Sequence, residues 1–252
     1  MPLPTAMYRL APCLVLVVTA CVAGEESSRE DLAGDRSDDT GPRTCATGTT
    51  LRGIDVSYYQ GVIDWSAVKG GGIDFAFIRV SDGATFADPK FATNWTASQD
   101  AGVVRGAYQF FRPAQDIDEQ AQLMITSLTA FTPGDLPPVL DVEATGDLAP
   151  ETIAARATDW VDKVHRATGT SPIIYTGKYF WRDEVGSPSS FSPNPLWIAQ
   201  YTRLCPALPA PWTTWHFWQN TDKGSVAGIS GDVDGDQFNG SIDELRALAG
   251  GG

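Results

Sequence analysis

Pro137-Pro138-Val139-Leu140-Asp141-Val142-Glu143 is the stretch on which the reading of this chain turns. It reads as a short buried strand, apolar up to Leu140 and closing on carboxylates at i and i+2. Alternate side chains of a strand project to opposite faces, so Asp141 and Glu143 share a face, with Cα atoms roughly 6.6 Å apart. Two acids at the end of a buried strand are electrostatically costly unless the protein uses them. Hydrolysis of a glycosidic bond uses such a pair, one carboxyl protonated and the other ionised. A strand-end acid pair facing solvent has the same sequence, so the surroundings decide between the two.

Working outward, apolar strand-like runs alternate with helical patterns. The expected strands are Leu51–Ser57, Phe75–Val80, Val103–Phe111, Pro138–Glu143, Pro172–Thr176, Leu196–Tyr201, Thr214–Asn220 and a short Val233-Asp234. Helices are expected at Asp64–Lys69, Pro89–Ala101, Ile117–Phe131 and Pro150–Thr168. In the last, Ile153, Ala157, Trp160, Val161 and Val164 recur at helical spacing; Pro150 and Glu151 suit its first turn and Gly169 its stop. Strands alternating with helices predict an α/β fold of parallel βα units closed as a single-domain, TIM-like (β/α) barrel. Lys178–Val185 is a weak helix and Gln219–Asp232 reads mostly as loop, so the barrel is expected to be irregular, with helices short or missing.

In such barrels the chemistry sits at the C-terminal ends of the strands. Asp55 falls late in the first strand, Asp141 and Glu143 end the fourth, and Asp234 lies in the last. Tyr108, Phe110, Tyr175, Tyr201 and Trp218 also fall at or near strand ends. Aromatic faces there can stack on sugar rings, although each is equally the kind of residue that packs a core.

The N-terminal part belongs to a different class of sequence. Residues 1–20 carry one charge, Arg9, followed by an apolar run from Leu10 to Ala20, the layout of a secretory signal. The run is too short to span a bilayer as a helix. It ends on Val18-Thr19-Ala20-Cys21, which resembles the bacterial lipobox and marks Cys21 for lipidation. An ordinary cleavable signal with an incidental cysteine is the alternative. Val22 rather than Asp follows, so the usual inner-membrane retention signal is missing, and an outer-membrane envelope lipoprotein or a secreted protein is expected. Residues 21–44, acidic and without an aromatic residue, read as a flexible tether. Residues 45–252 are long enough for one catalytic domain.

The formal charge of −13, with no basic run, argues against nucleic acid as a partner. It also removes long-range attraction to anionic polymers, leaving shape, stacking and hydrogen bonds to supply affinity. Of the four cysteines, Cys13 lies in the signal and Cys21 at its end. An exported chain commonly pairs the two that remain, Cys45 and Cys205.

Taken together the motifs resemble glycoside hydrolase family 25, the muramidases of the Chalaropsis-lysozyme type. Gly53-Ile54-Asp55-Val56-Ser57-Tyr58-Tyr59-Gln60-Gly61 with Ile63-Asp64-Trp65 is similar to that family's first strand and loop. Gly106-Ala107-Tyr108-Gln109-Phe110 resembles its third strand, and Leu140-Asp141-Val142-Glu143 its Asp-x-Glu. Trp218-Gln219 and Val233-Asp234-Gly235-Asp236-Gln237-Phe238 resemble its last strands. The ordered set spans about residues 51–245 and is far more specific than any one motif.

The resemblance implies hydrolysis of the β-1,4 bond between N-acetylmuramic acid and N-acetylglucosamine in peptidoglycan, with no cofactor or metal. It implies Glu143 as general acid and Asp141 as the carboxylate that stabilises positive charge or orients the substrate's acetamido group. Asp55 and Asp234 become flanking acids of the cleft, a cluster that would keep Glu143 protonated by like-charge repulsion. Tyr58 and Gln219, which stand inside these motifs, join Tyr108, Phe110, Tyr175, Tyr201 and Trp218 as candidate substrate-binding residues. The implied partners are peptidoglycan strands and, through the lipid anchor alone, a membrane, with the protein a monomer. One departure stands out: Gln109 occupies a position where the family often has His, and an amide cannot titrate near pH 7.

Other classes fit less well. Asp232-Val233-Asp234-Gly235-Asp236 resembles the start of a calcium loop with Asp243 twelfth, but Gln237 replaces the sixth-position Gly and the last ligand is Asp rather than Glu. His165 reads as a helix-surface residue and His216 as packing or support, with no HExxH for zinc. No Gly-x-Ser-x-Gly elbow is present. A non-catalytic wall-binding lipoprotein would be expected to lose an acid. A chitinase-like hydrolase of poly-N-acetylglucosamine would carry a longer acidic motif, and Val139 stands where that motif has Asp.

Overall fold

The computed structural model describes residues 41–128 and 132–250. The expected signal, Cys21 and the tether as far as residue 40 lie outside the described residues, as does the end of the third expected helix at 129–131.

Nine strands form one sheet: β1 Thr50–Val56, β2 Phe75–Asp82, β3 Phe86–Ala87, β4 Val104–Phe110, β5 Val139–Asp141, β6 Ile173–Gly177, β7 Leu196–Ala199, β8 Phe217–Gly224 and β9 Val233–Asn239. β3 only folds back on the end of β2. The other eight run in the order β1-β9-β8-β7-β6-β5-β4-β2, and β1 pairs with β2 to close the barrel. The α-helices are α1 Trp65–Gly70, α2 Phe91–Asp100, α3 Ile117–Ser127, α4 Pro150–Thr168, α5 Lys178–Glu184 and α6 Ile242–Leu248. The expected elements are present with shifted ends; the short β3 and α6 are additions.

The expectation of parallel units throughout needs one correction. β9 is antiparallel to both β8 and β1, whereas the other barrel pairs are parallel. The cause is connection length. A parallel return needs a crossover of about a dozen residues or more, and only residues 225–232 separate β8 from β9. The chain therefore doubles back, and the N-terminal end of β9 meets the C-terminal end of β1, with Asp234 opposite Asp55. Asp234 reaches the mouth of the barrel from the start of its strand, not the end.

Strand alternation splits the apolar residues into two cores. Phe75, Phe77, Val139, Ile173, Trp197, Phe217 and Phe238 fill the barrel interior. Ile54, Val56, Leu140, Val142, Ile174 and Ile198, the alternate positions, pack outward against helix residues such as Ile153, Ala157, Trp160 and Val164 of α4. The interior rings need room that only glycine leaves: a Cβ on Gly53 would stand 2.2 Å from the Phe75 ring, and one on Gly106 would stand 2.6 Å from Phe77. α4 ends where Gly169 adopts φ +74°, a left-handed stop.

The Cys45–Cys205 disulfide forms, closing a sequence separation of 160. Around it Thr44 N–H donates to the Pro206 carbonyl at 2.8 Å, and the Trp215 indole N–H donates to the Thr44 carbonyl at 2.7 Å. The beginning of the domain is thereby fastened to the loop after β7. No helix among the described residues is long and apolar enough to cross a membrane.

Candidate active site

The decisive strand behaves as its alternation requires. β5 itself stops at Asp141, but Val142 N–H donates to the Tyr175 carbonyl at 2.9 Å and Thr176 Oγ1 donates to the Val142 carbonyl at 2.9 Å. Pairing with β6 thus carries the alternation one residue further. Val139 is interior, Leu140 and Val142 are exterior, and Asp141 and Glu143 project to the interior side at the C-terminal mouth. Both are buried, 3% and 8% exposed. Asp55 on β1 and Asp234 on β9 are buried as well, and they are direct cross-strand partners. Four carboxyls on three strands therefore face one end of the barrel.

Gln219, interior on β8, organises the wall between them. Its Nε2 donates to Asp55 Oδ2 at 2.7 Å. Its Oε1 accepts the hydroxyls of Tyr175 at 2.9 Å and Tyr201 at 3.0 Å. The carboxylate can only accept, so the amide orientation is fixed, with nitrogen toward Asp55 and oxygen toward the tyrosines. Three of the sequence candidates thus meet on a fourth element's amide.

The other candidates divide. Phe110 is the cross-strand partner of Asp141, and the Arg112 guanidinium lies 4.2 Å from its ring centroid. Tyr108 is buried edge-on against Trp197, one layer deeper in the barrel. Tyr58 sits on the loop after β1, in ring contact with Tyr59 and Phe86 and over the Arg79 guanidinium. Trp218 is not brought to the acids. It alternates with Phe217 and Gln219, so it points outward, packs on Trp215 and donates its indole N–H to the Gln200 carbonyl at 2.8 Å.

Gln109 also points outward. It is fully buried between β4 and α4, donating to Ser81 Oγ at 2.6 Å and accepting from the Trp160 indole at 2.6 Å. An amide here ties helix to barrel and has no route to a sugar. The calcium-loop alternative is displaced by β9, whose backbone is paired on both sides across residues 235–238. His165 Nδ1 lies 2.8 Å from the Thr170 carbonyl at the end of α4, and His216, just before β8, is partly buried, which lowers its pKa.

A fifth acid escaped the sequence reading. Asp236, two residues after Asp234, projects to the same interior side and is 3% exposed. Its Oδ1 accepts the Trp197 indole N–H at 2.9 Å. Burial, and then the neighbouring charges of Asp55 and Asp234, hold its carboxyl well above the usual range, against the lowering effect of the Trp197 bond. The signal was available: the i, i+2 rule that joins Asp141 to Glu143 also joins Asp234 to Asp236.

Barrel and acids together define a glycoside hydrolase, and comparison with known proteins agrees. The model of the glycosyl hydrolases family 25 matches residues 54–229. Lysozyme M1 of Streptomyces globisporus is 36% identical over 209 residues, covering 79% of this chain and 71% of that protein. The protein YegX of Escherichia coli (strain K12) is 39% identical over 207 residues, 80% of this chain and 74% of its own. The crystal structure of the bacterial lysozyme from Streptomyces coelicolor superposes with a TM-score of 0.74 at 34% identity, covering 80% of this chain and 98% of that one. The chain belongs to glycosyl hydrolases family 25.

Proposed function

We propose that the domain is a peptidoglycan N-acetylmuramidase, a lysozyme that cleaves the β-1,4 bond between N-acetylmuramic acid and N-acetylglucosamine. The observation that carries the reading is the convergence of Asp55, Asp141, Glu143 and Asp234, all buried, on one barrel mouth. In this reading Glu143 gives its proton to the leaving glycosidic oxygen, and Asp141 meets the positive charge that grows at the anomeric carbon or orients the acetamido group beside it. Asp55 and Asp234 line the opposite wall, where their charge favours an oxocarbenium-like transition state. Tyr175, Tyr201, Gln219, Phe110 and Tyr58 border the same mouth and supply hydrogen bonds and ring faces for the sugars.

The N-terminal segment completes the proposal: export under a lipoprotein signal, a lipid on Cys21, and a monomeric catalytic domain held by the acidic tether at the cell envelope. The test of the reaction is the sugar at the new reducing end. Mass spectrometry of products from purified peptidoglycan should find N-acetylmuramic acid there. N-acetylglucosamine at that end supports the chitinase-like alternative instead, and an undigested wall that still binds the protein supports a wall-binding module.

A further inference from the structure

Asp236 lies one layer deeper in the barrel than Asp234, and it touches one of the four outer acids. Its cross-strand partners are Gly53 on β1 and Gln219 on β8, and neither side offers a cation. Of its two oxygens, Oδ1 takes the Trp197 indole N–H at 2.9 Å. No N–H or O–H of the described residues reaches the buried Oδ2. Two residues beyond Gly53 on the same face of β1 stands Asp55, and its carboxyl is in hydrogen-bond contact with that of Asp236. Two carboxyls can hydrogen-bond only through a proton between them. Asp55 already accepts from Gln219 Nε2 at 2.7 Å, so a second donor fits an ionised Asp55.

We propose that Asp236 is a positioning residue for Asp55: it carries a proton on Oδ2 and donates it in a hydrogen bond to the Asp55 carboxylate, while Oδ1 stays pinned by Trp197. Burial and the facing charges of Asp55 on β1 and Asp234 on β9 favour the neutral form that this role needs. The arrangement keeps Asp55 ionised and aimed, with donors from β8 and β9 fixing both its position and its charge. The inference rests on the reading of Asp55 as a cleft carboxylate.

The test exploits an isostere. Asparagine presents an N–H donor and a C=O acceptor where a protonated aspartic acid presents O–H and C=O. Asp236→Asn should therefore keep kcat on peptidoglycan within about threefold of wild type, and Asp236→Leu should lower it about 10²-fold with KM little changed. An infrared difference spectrum of wild type minus Asp236→Asn at neutral pH should show the carbonyl stretch of a protonated carboxyl, a readout independent of turnover and of whether the leucine variant folds. A loss in Asp236→Asn as large as in Asp236→Leu, full activity in both, or no protonated-carboxyl band overturns the proposal. A wild-type protein that shows the band but does not cleave peptidoglycan overturns the muramidase reading and leaves the Asp55–Asp236 proton in place.

Discussion

Gln219 Nε2 donates to Asp55 Oδ2 at 2.7 Å, joining residues 164 positions apart in sequence. The same amide accepts two tyrosine hydroxyls from β6 and the loop after β7, so three strands and a loop agree on where Asp55 points. Gln219→Leu leaves Asp55, Tyr175 and Tyr201 each short of a partner. Stability should fall by about 1–3 kcal/mol, the usual cost of stranded buried polar groups. Turnover should fall about 10²-fold as Asp55 loses its aim. Urea unfolding and a peptidoglycan turbidity assay on the one preparation measure both.

The disulfide should act on stability alone. Cys45–Cys205 closes a loop of sequence separation 160 at the edge of the domain. Removing it by Cys45→Ala with Cys205→Ala should cost up to about 4–5 kcal/mol in the chain-entropy account. The acids lie on strands the bridge does not touch, so activity of the folded fraction should be unchanged, as a paired denaturation curve and initial-rate assay can establish.

A second structural prediction lies at the far end of the barrel. Arg105, near the start of β4, makes a two-pronged ion pair with Asp135, Nε to Oδ1 at 2.6 Å and Nη2 to Oδ2 at 3.1 Å. Both side chains are buried, and the guanidinium also caps the Trp95 ring at 4.1 Å. Asp135→Ala strands the arginine charge and should cost about 3–5 kcal/mol. Because the pair is remote from the mouth, KM should not move, which steady-state kinetics below the melting range will check.

Most of this was legible in the sequence because strand alternation is local. The Asp141–Glu143 pair, α4 from Pro150 to Thr168, and the pairing of Cys45 with Cys205 follow from spacing, caps and composition. The reversal of β9 was not legible, because it depends on how little chain lies between β8 and β9, and the end of β8 reads as polar loop in Asn220–Gly224. Trp218 follows the same local rule: it alternates with the interior Phe217, so its side chain points outward. Asp236 stands in the sequence within the last-strand motif and the calcium-loop pattern, and neither marks it as an acid on the same face as Asp234.

The raised carboxyl of Asp236 also gives stability a pH dependence. The folded chain holds a proton there that the unfolded chain releases, so folding takes up a proton and stability falls as pH rises. The contribution is fully present below the ordinary carboxylate range and is lost as pH climbs from that range through the higher folded-state value. Asp55 and Asp234, the charges facing it, are common to both proteins in the comparison. The melting temperature of wild type should therefore drop relative to Asp236→Asn with increasing pH; a difference that stays flat contradicts the assignment.

The central claim is that Glu143 supplies the proton to the departing sugar, and one substitution addresses it. Glu143→Gln keeps the size and hydrogen-bonding reach of the side chain and removes only its ability to transfer a proton. The measurement is the initial rate of clearing of a peptidoglycan suspension by this variant beside wild type, with circular dichroism to establish equal folding. The account predicts an unchanged fold and a rate lower by about 10³-fold or more. A folded Glu143→Gln protein that clears the suspension at close to the wild-type rate contradicts it.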